Sequence, residues 1–173
     1  MTNDDIYNPL ARAWSMGQVD KLALTLFLAC AVPFLMHALP FAGAQDLGQR
    51  WLPIYYAPLV AVICFRPHVS LLACAIAPWL NHAIFGMPAA SMASVLTLQL
   101  LCFNAALLLL KRFTDIRGWL VLPAYLATLP VSIWALNRPV TEAGALCFRA
   151  MPGLLFMIFL AEILYRYRKG GIR

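Results

Sequence analysis

Residues 51–110 read WLPIYYAPLVAVICFRPHVSLLACAIAPWLNHAIFGMPAASMASVLTLQLLCFNAALLLL. Apolar residues fill three successive stretches of this segment, which are separated by Arg66-Pro67 and by Gly86-Met87-Pro88. A helix needs about 20 predominantly apolar residues to cross the hydrocarbon core of a bilayer. Proline and glycine punctuate helices, so the two separators fall where turns are expected. The segment therefore predicts three consecutive membrane helices, over about 52–65, 68–85 and 93–112.

The composition of the whole chain agrees with this interpretation. Of its 173 residues, 63% are hydrophobic and 12% are charged, whereas soluble domains are about half apolar and about a quarter charged. So few charges cannot cover the surface of a soluble globule of this size. We therefore expect a single membrane domain over residues 1–173, surrounded by the lipid bilayer, with no room for a separate soluble catalytic domain.

Further apolar stretches extend the pattern on both sides of the central segment. They predict helices over about 21–39, 117–136 and 145–167, which makes an all-α, polytopic fold with six transmembrane helices. Residues 1–20 are polar and lack the apolar region of a cleavable signal peptide. We expect them to form a short cytoplasmic segment before the first span.

Lysine and arginine are unevenly divided between the two sides that six spans would create. The tails and the connections after the second and fourth spans hold Arg12, Lys21, Arg66, Lys111, Arg112, Arg117, Arg166, Arg168, Lys169 and Arg173, and the opposite connections hold Arg50, Arg138 and Arg149. Cytoplasmic connections carry the excess of positive charge, so both termini are predicted to lie in the cytoplasm, with the chain in a bacterial inner membrane. The net charge of +6 then reflects topology, and no nucleic-acid partner is expected.

The connections on the two sides also differ in length. The cytoplasmic ones are tight turns, whereas the outer ones, about 40–51, 86–92 and 137–144, are long and irregular. Irregular backbone at membrane depth is tolerated where it is buried in protein or lines a cavity. The pattern therefore predicts a ligand cup that opens on the outer side.

Sequence signatures of enzymes are missing. The chain has no HExxH, GxSxG or GxxxxGK[ST] motif and no paired carboxylates at helical spacing. Glu162 is the one acid deep in an apolar stretch, and its spacing favours an ion pair with Arg166 over proton coupling. We expect a protein that is not an enzyme and has no intrinsic cofactor.

The candidate ligand-binding residues cluster in the predicted outer half. They are flat aromatic, amide and basic side chains that suit a rigid, partly polar organic ligand. The set comprises His37, Trp51, Tyr55, Tyr56, Asn81, His82, Met87, Trp134, Asn137 and Arg138. An aromatic belt at the level of the lipid headgroups is the alternative for the tryptophans and tyrosines.

The third predicted helix adds a possible metal contact. Cys74, Pro78 and Asn81 share one face of it, and His82 is adjacent. Thiolate and imidazole donors suit late transition metals, including a cobalt held in a macrocycle. Cys74 and His82 are therefore candidate axial ligands to the cobalt of a bound corrinoid, with an inert, buried Cys74 as the alternative.

Several short motifs resemble the vitamin-binding S-components of energy-coupling factor (ECF) transporters. One branch of that family has LPMHxPV at the second helix, a proline in the third, TGMPP, an E-L or Q-L pair in the fourth, and Pro-Gly at the last. The matching residues here, in the same order, are Leu52-Pro53, Pro58, Pro78, Gly86-Met87-Pro88, Gln99-Leu100 and Pro152-Gly153. The family's Met-His is replaced by Ile54-Tyr55, and the second proline of its GMPP motif by Ala89.

The resemblance implies a six-helix bundle that holds a vitamin near the outer face. The AxxxA pattern that docks many members on the ECF ATPase module is missing from the first helix. The chain is in this respect similar to a solitary branch that transports cobalamin, so uptake of cobalamin or a related corrinoid is expected. The alternatives are an S-component for another vitamin that works with the ATPase module, a non-transporting scaffold of the MreD type, and a membrane enzyme using Cys74 or His82.

Overall fold

The computed structural model describes residues 17–38, 47–115 and 117–170, and over these residues the chain is helical without a strand. The α-helices, in chain order, are α1 Gln18–Ala38, α2 Leu47–Trp51, α3 Pro53–Cys64, α4 Pro67–Phe85, α5 Ala90–Leu110, α6 Val121–Leu126, α7 Leu129–Ala135, α8 Ala143–Arg149 and α9 Met151–Gly170. Short 3-10 helices, Gly118–Leu120 and Val140–Glu142, precede α6 and α8.

Several of these helices are long and apolar enough to cross a membrane. Within the described residues there are four such spans, Gln18–Met36, Pro67–Phe85, Ala90–Leu110 and Gly118–Ala135, and a fifth if the bent pair of α8 and α9 counts as one. This agrees with an all-α membrane protein. The remaining predicted span, the second one over about 52–65, corresponds to α3, whose 12 residues extend over about 18 Å, short of the ~30 Å of a hydrocarbon core.

Proline divides two of the predicted helices. The helix predicted over 145–167 consists of α8 and α9, which meet at an angle of 59°. Pro152 lies in the first turn of α9, where its missing N–H is tolerated, but its ring cannot continue the preceding helix. The helix predicted over 117–136 is a 3-10 turn followed by α6 and α7, with Pro130 in the first turn of α7.

The remaining boundaries lie close to the predicted ones. Helix α1 begins at Gln18 instead of 21, so the polar segment predicted over 1–20 overlaps it, and residues 1–16 of that segment lie outside the described residues. Helix α5 begins at Ala90 instead of 93 and ends at Leu110 instead of 112. Apolar content thus located the long helices to within about a turn, whereas α2 lies in the segment 40–51 that was expected to be an irregular connection.

The largest buried cluster joins α3, α5, α6 and α9. Leu59, Phe103, Val121 and Met157 contribute to it, each with 1% or less of its surface exposed. Helix α1 packs on α3 and α4 through Ala29, Ala57 and Ala77, whose small side chains let the helices approach closely. Large apolar side chains such as Phe27 and Phe159 are exposed on the outside of the bundle, as expected for a surface in contact with lipid.

The two ends of the bundle differ. At one end, which we call the closed end, α3 and α5 finish and cations cover the helix termini. Nζ of Lys111 donates to the carbonyl of Val62 (3.4 Å), and Nη1 of Arg168 donates to that of Ile63 (3.1 Å). Burial, with Arg168 nearby, lowers the pKa of Lys111 below its ordinary value. At the other end, the cavity end, α1 and α4 finish and α3 and α5 begin.

Candidate functional site

A cavity of about 520 Å³ opens at the cavity end, among the termini of α1 to α8. This is the end that the cation count predicts to face outward. Its lining is mostly apolar, with a few polar side chains. The lining residues are Pro33, Phe34, Gly48, Gln49, Leu52, Pro53, Ile54, Tyr55, Asn81, Phe85, Met87, Pro88, Ala89, Met92, Leu96, Gln99, Tyr125, Leu129, Ser132, Leu136, Arg138 and Leu146.

A chain of hydrogen bonds forms the floor of this cavity. The hydroxyl of Tyr55 donates to Oε1 of Gln99 (3.4 Å), and Nε2 of Gln99 donates to Oγ of Ser132 (2.8 Å). Ser132 in turn donates to the carbonyl of Thr128 (3.2 Å). The ring of Tyr55 is fixed by edge contacts with Phe103 and Tyr125. The chain joins α3, α5 and α7, and it holds the polar atoms of the floor in a defined geometry.

Asn81 supplies a hydrogen-bond acceptor to the wall. Its Nδ2 donates to the carbonyl of Ala29 (3.0 Å) on α1 and to that of Ala77 (2.9 Å) on its own helix, α4. Both amide protons are then used, while Oδ1 has no hydrogen-bond partner among the described residues. Asn81 therefore ties α4 to α1 and presents an oxygen, not a donor, to a ligand.

The short helix α2 lies over one side of the cavity, with Gly48 and Gln49 in the lining. Leu52 joins it to α3 in the left-handed region (φ 50°, ψ 43°), which an L-residue with a branched side chain rarely adopts. The hydroxyl of Tyr56 donates to the carbonyl of Trp51. A Cβ added at Gly153 of α9 would lie 2.5 Å from the same carbonyl oxygen, so only glycine fits there. These contacts hold the position of α2.

His82 supports the loop that follows α4. Its Nδ1 lies 2.8 Å from the carbonyl of Pro88, in a loop that contains the cis peptide bond Met87-Pro88. Because a carbonyl can only accept, Nδ1 carries the proton. The Gly86-Met87-Pro88 turn begins at Gly86 with φ of 70°, which glycine adopts without strain.

Arg138 lies at the rim, held by the end of α7. Asn137 takes the left-handed conformation (φ 48°), its N–H donates to the carbonyl of Trp134 (3.3 Å), and the N–H of Arg138 donates to that of Ile133 (3.0 Å). This is the Schellman arrangement of a helix C-terminus. Nη1 of Arg138 also contacts Oε2 of Glu142 at 3.1 Å.

The predicted binding residues fall into two groups. Tyr55, Asn81, Met87 and Arg138 line the cavity. Trp51 and Tyr56 instead line a second, apolar groove of about 400 Å³ between α1, α3 and α9.

Three other predicted binding residues do not line the cavity. Trp134 is 78% exposed. Asn137 caps α7, and His82 holds the loop beside the cavity. The backbone of His37 lies in α1, but its side chain is outside the part of the chain that the structure describes.

The predicted cobalt ligands do not face the cavity together. Cys74 is fully buried in the cluster that contains Tyr55, beneath the floor, and its side chain is not part of the lining. His82 uses Nδ1 for Pro88. Among the described residues, no three of His, Cys, Asp and Glu come together as a site for a free metal ion would require.

Sequence reasoning did not single out the central residues of the floor. Gln99 entered only as part of a motif, and Ser132 was not considered. Both were detectable as single polar residues within apolar helices, where each needs a partner. Gln49, Phe34 and Phe85 gave no such signal, because helix ends routinely carry polar and aromatic residues.

No protein-family model matches this chain, and neither the curated proteins nor the solved structures include a match.

Proposed function

We propose that this protein takes up a vitamin across a bacterial inner membrane, as an S-component of the ECF type, and binds it in the cavity described above. The observation that carries the proposal is the cavity itself, with its apolar walls and hydrogen-bonded floor of Tyr55, Gln99 and Ser132. Small-molecule sites have this character: a mostly apolar concave surface with a few fixed polar groups.

The location of the cavity supports an uptake function. It opens at the end opposite to Lys111 and Arg168, on the side that the distribution of cations assigns to the exterior. In this proposal both termini are cytoplasmic, and α3 together with α2 completes a sixth, irregular passage through the bilayer. Irregular backbone there is compatible with a bilayer because it borders the cavity.

The volume bears on which vitamin is bound. About 520 Å³ lies within the range of sites for drug-sized ligands. Cobalamin or a related corrinoid, the first candidate, is larger and needs α2 to move away from the cavity. A smaller vitamin, handled with or without an ATPase module, needs no such change.

Binding measurements on the purified protein test this proposal. Detergent-solubilised protein is titrated calorimetrically with cobalamin and with a panel of smaller vitamins, and binding of one of them at micromolar or lower concentration is expected. Gln99→Leu should weaken that binding about tenfold, because the acceptor of Tyr55 and the donor to Ser132 are both lost. Leu98→Ala, a lipid-facing change on the same helix, is the matched control and should leave affinity unchanged.

The proposal fails if no vitamin binds to folded protein. It also fails if Gln99→Leu and Leu98→Ala have the same effect on affinity. A protein that binds none of these ligands, and whose deletion alters cell shape with vitamin uptake unchanged, would instead be a non-transporting scaffold.

A further inference from the structure

The cavity has an uneven distribution of charge. Among the described residues its lining includes the cation Arg138 and no aspartate or glutamate. Glu142, the nearest acid to Arg138, contacts it but does not belong to the lining. A ligand in the cavity therefore meets Arg138 at the rim, while the carboxylate that pairs with it, Glu142, lies outside the lining.

The guanidinium of Arg138 is positioned before a ligand arrives. Its backbone is fixed by the hydrogen bond from its N–H to Ile133, and its side chain by the contact of Nη1 with Glu142 at 3.1 Å. A guanidinium has five N–H donors in a planar fork, and the bond to Glu142 uses one of them. The remaining donors suit the paired oxygens of a carboxylate or phosphate.

Asn81 places the opposite requirement on a ligand, because it calls for a hydrogen-bond donor. Both protons of its Nδ2 are bound to backbone carbonyls, so its side chain can only accept a hydrogen bond from a ligand. Asn81 is 4% exposed, and its unpaired Oδ1 would be left without compensation by a ligand that lacks a donor.

From these two constraints we infer that the cavity is an anion-selective site. It takes an organic ligand that carries a carboxylate or phosphate toward Arg138 and an amide-type N–H toward Asn81. Glu142 acts as a positioning residue that orients Arg138. This inference rests on the proposed function, because it specifies the ligand class of the same cavity.

Matched pairs of probes test the inference. Each pair contains an anionic vitamin and a neutral counterpart: biotin and its methyl ester, and pantothenate and panthenol. In the pair that binds, the anionic member should bind about tenfold more tightly than the neutral one. Arg138→Gln should reduce this ratio to about one, because it should weaken the binding of the anionic member only.

Two further variants separate recognition from general charge effects. Arg149→Gln removes an exposed cation at the same end of the bundle and should keep the tenfold ratio. Glu142→Gln keeps a hydrogen-bonding group and should lower the ratio only slightly, whereas Glu142→Ala should lower it further. Retained melting temperatures show that each variant is folded.

The outcomes distinguish the inference from the function on which it rests. If a neutral member binds as tightly as its anionic partner, or if Arg138→Gln and Arg149→Gln behave alike, the inference is overturned while vitamin binding stands. If cobalamin or another vitamin of the panel binds while no member of either pair does, the inference is overturned and the proposed function stands. If no vitamin binds to folded protein, both fall.

Discussion

The closed end and the cavity end of this bundle use polar groups in opposite ways. At the closed end, Lys111 and Arg168 donate to the last carbonyls of α3, and Tyr165 donates to Asp115 (2.9 Å). At the cavity end, Asn81 and Arg138 have hydrogen-bonding capacity beyond their contacts with the protein. The difference fits a structural task at the closed end and, under the proposed function, ligand recognition at the cavity end.

A glycine permits a close backbone contact toward each end. A Cβ at Gly118 would collide with the carbonyl oxygen of Ile158, and one at Gly153 would lie 2.5 Å from that of Trp51. The contact at Gly118 packs the chain against α9 in the core of the bundle. The contact at Gly153 positions α2 beside the cavity. Substitutions at the two glycines should therefore have different consequences.

Gly118→Ala should produce the largest loss of stability. The added methyl meets backbone of α9, which cannot move without disturbing the buried cluster, so we expect a destabilisation of about 3 kcal/mol. Unfolding in SDS, followed by circular dichroism, measures it. Gly144→Ala is the control, because nothing lies within 4 Å of its Cβ, and it should be neutral or stabilising. Equal stability of the two variants would contradict the close contact.

Gly153→Ala should cause a smaller loss of stability and a larger loss of binding. We expect about 2 kcal/mol of destabilisation, together with weaker affinity, because α2 must shift and Gly48 and Gln49 line the cavity. Calorimetric titration of the folded fraction separates the two effects. Gly118→Ala should bind normally where it folds, and a Gly153→Ala protein with unchanged affinity would show that α2 plays no part in the site.

The apolar composition was enough to predict the class of fold. Long stretches such as 90–110 are mostly apolar. In the structure they are helices long enough to cross a membrane. Two helix breaks were harder to predict, one at Ala150 between α8 and α9 and one at Ala127-Thr128 between α6 and α7. Prolines 123, 130 and 152 were visible, but a proline in a membrane helix can produce a kink, a break or no change, and neighbouring helices decide which.

The site was predictable in location but only partly in its residues. Polar residues at the predicted outer ends pointed to the end of the bundle where the cavity opens, and Tyr55, Asn81 and Arg138 line it. The prediction failed to separate side chains that face the cavity from those that face lipid, as Trp134 shows with 78% of its surface exposed. That orientation depends on the rotation of each helix, which sequence periodicity leaves open when every face is apolar.

Asn104 lies between the two ends, and we expect its substitution to have an effect of intermediate size. It is fully buried in α5, and neither Nδ2 nor Oδ1 has a partner among the described residues. Replacing an unpaired buried amide by an apolar group of similar size removes its desolvation penalty, so Asn104→Leu should stabilise the protein by about 1 kcal/mol.

Reversible unfolding in SDS measures this gain, with Asn81→Leu as the control. Asn81 has the same side chain but donates to Ala29 and Ala77, so its replacement should destabilise. A loss of stability in Asn104→Leu would mean that the amide finds a partner in the folded protein.

Asp115 should give the smallest effect, at the closed end. Hydrogen bonds from Tyr165 and from Lys169, whose Nζ is 3.4 Å away, lower the pKa of its carboxyl below the ordinary value. A carboxyl whose pKa is lowered on folding stabilises the protein above the unfolded-state pKa of about 3.9, and this contribution is lost as the pH falls through the folded-state pKa. The melting temperature of the wild type should therefore exceed that of Asp115→Asn by a small margin at pH 7, and the margin should shrink as the pH falls below about 3.9. Tyr165→Phe, which removes the largest cause of the shift, should reduce the margin, and an Asp115→Asn protein with the same pH dependence as the wild type would contradict this role of Asp115.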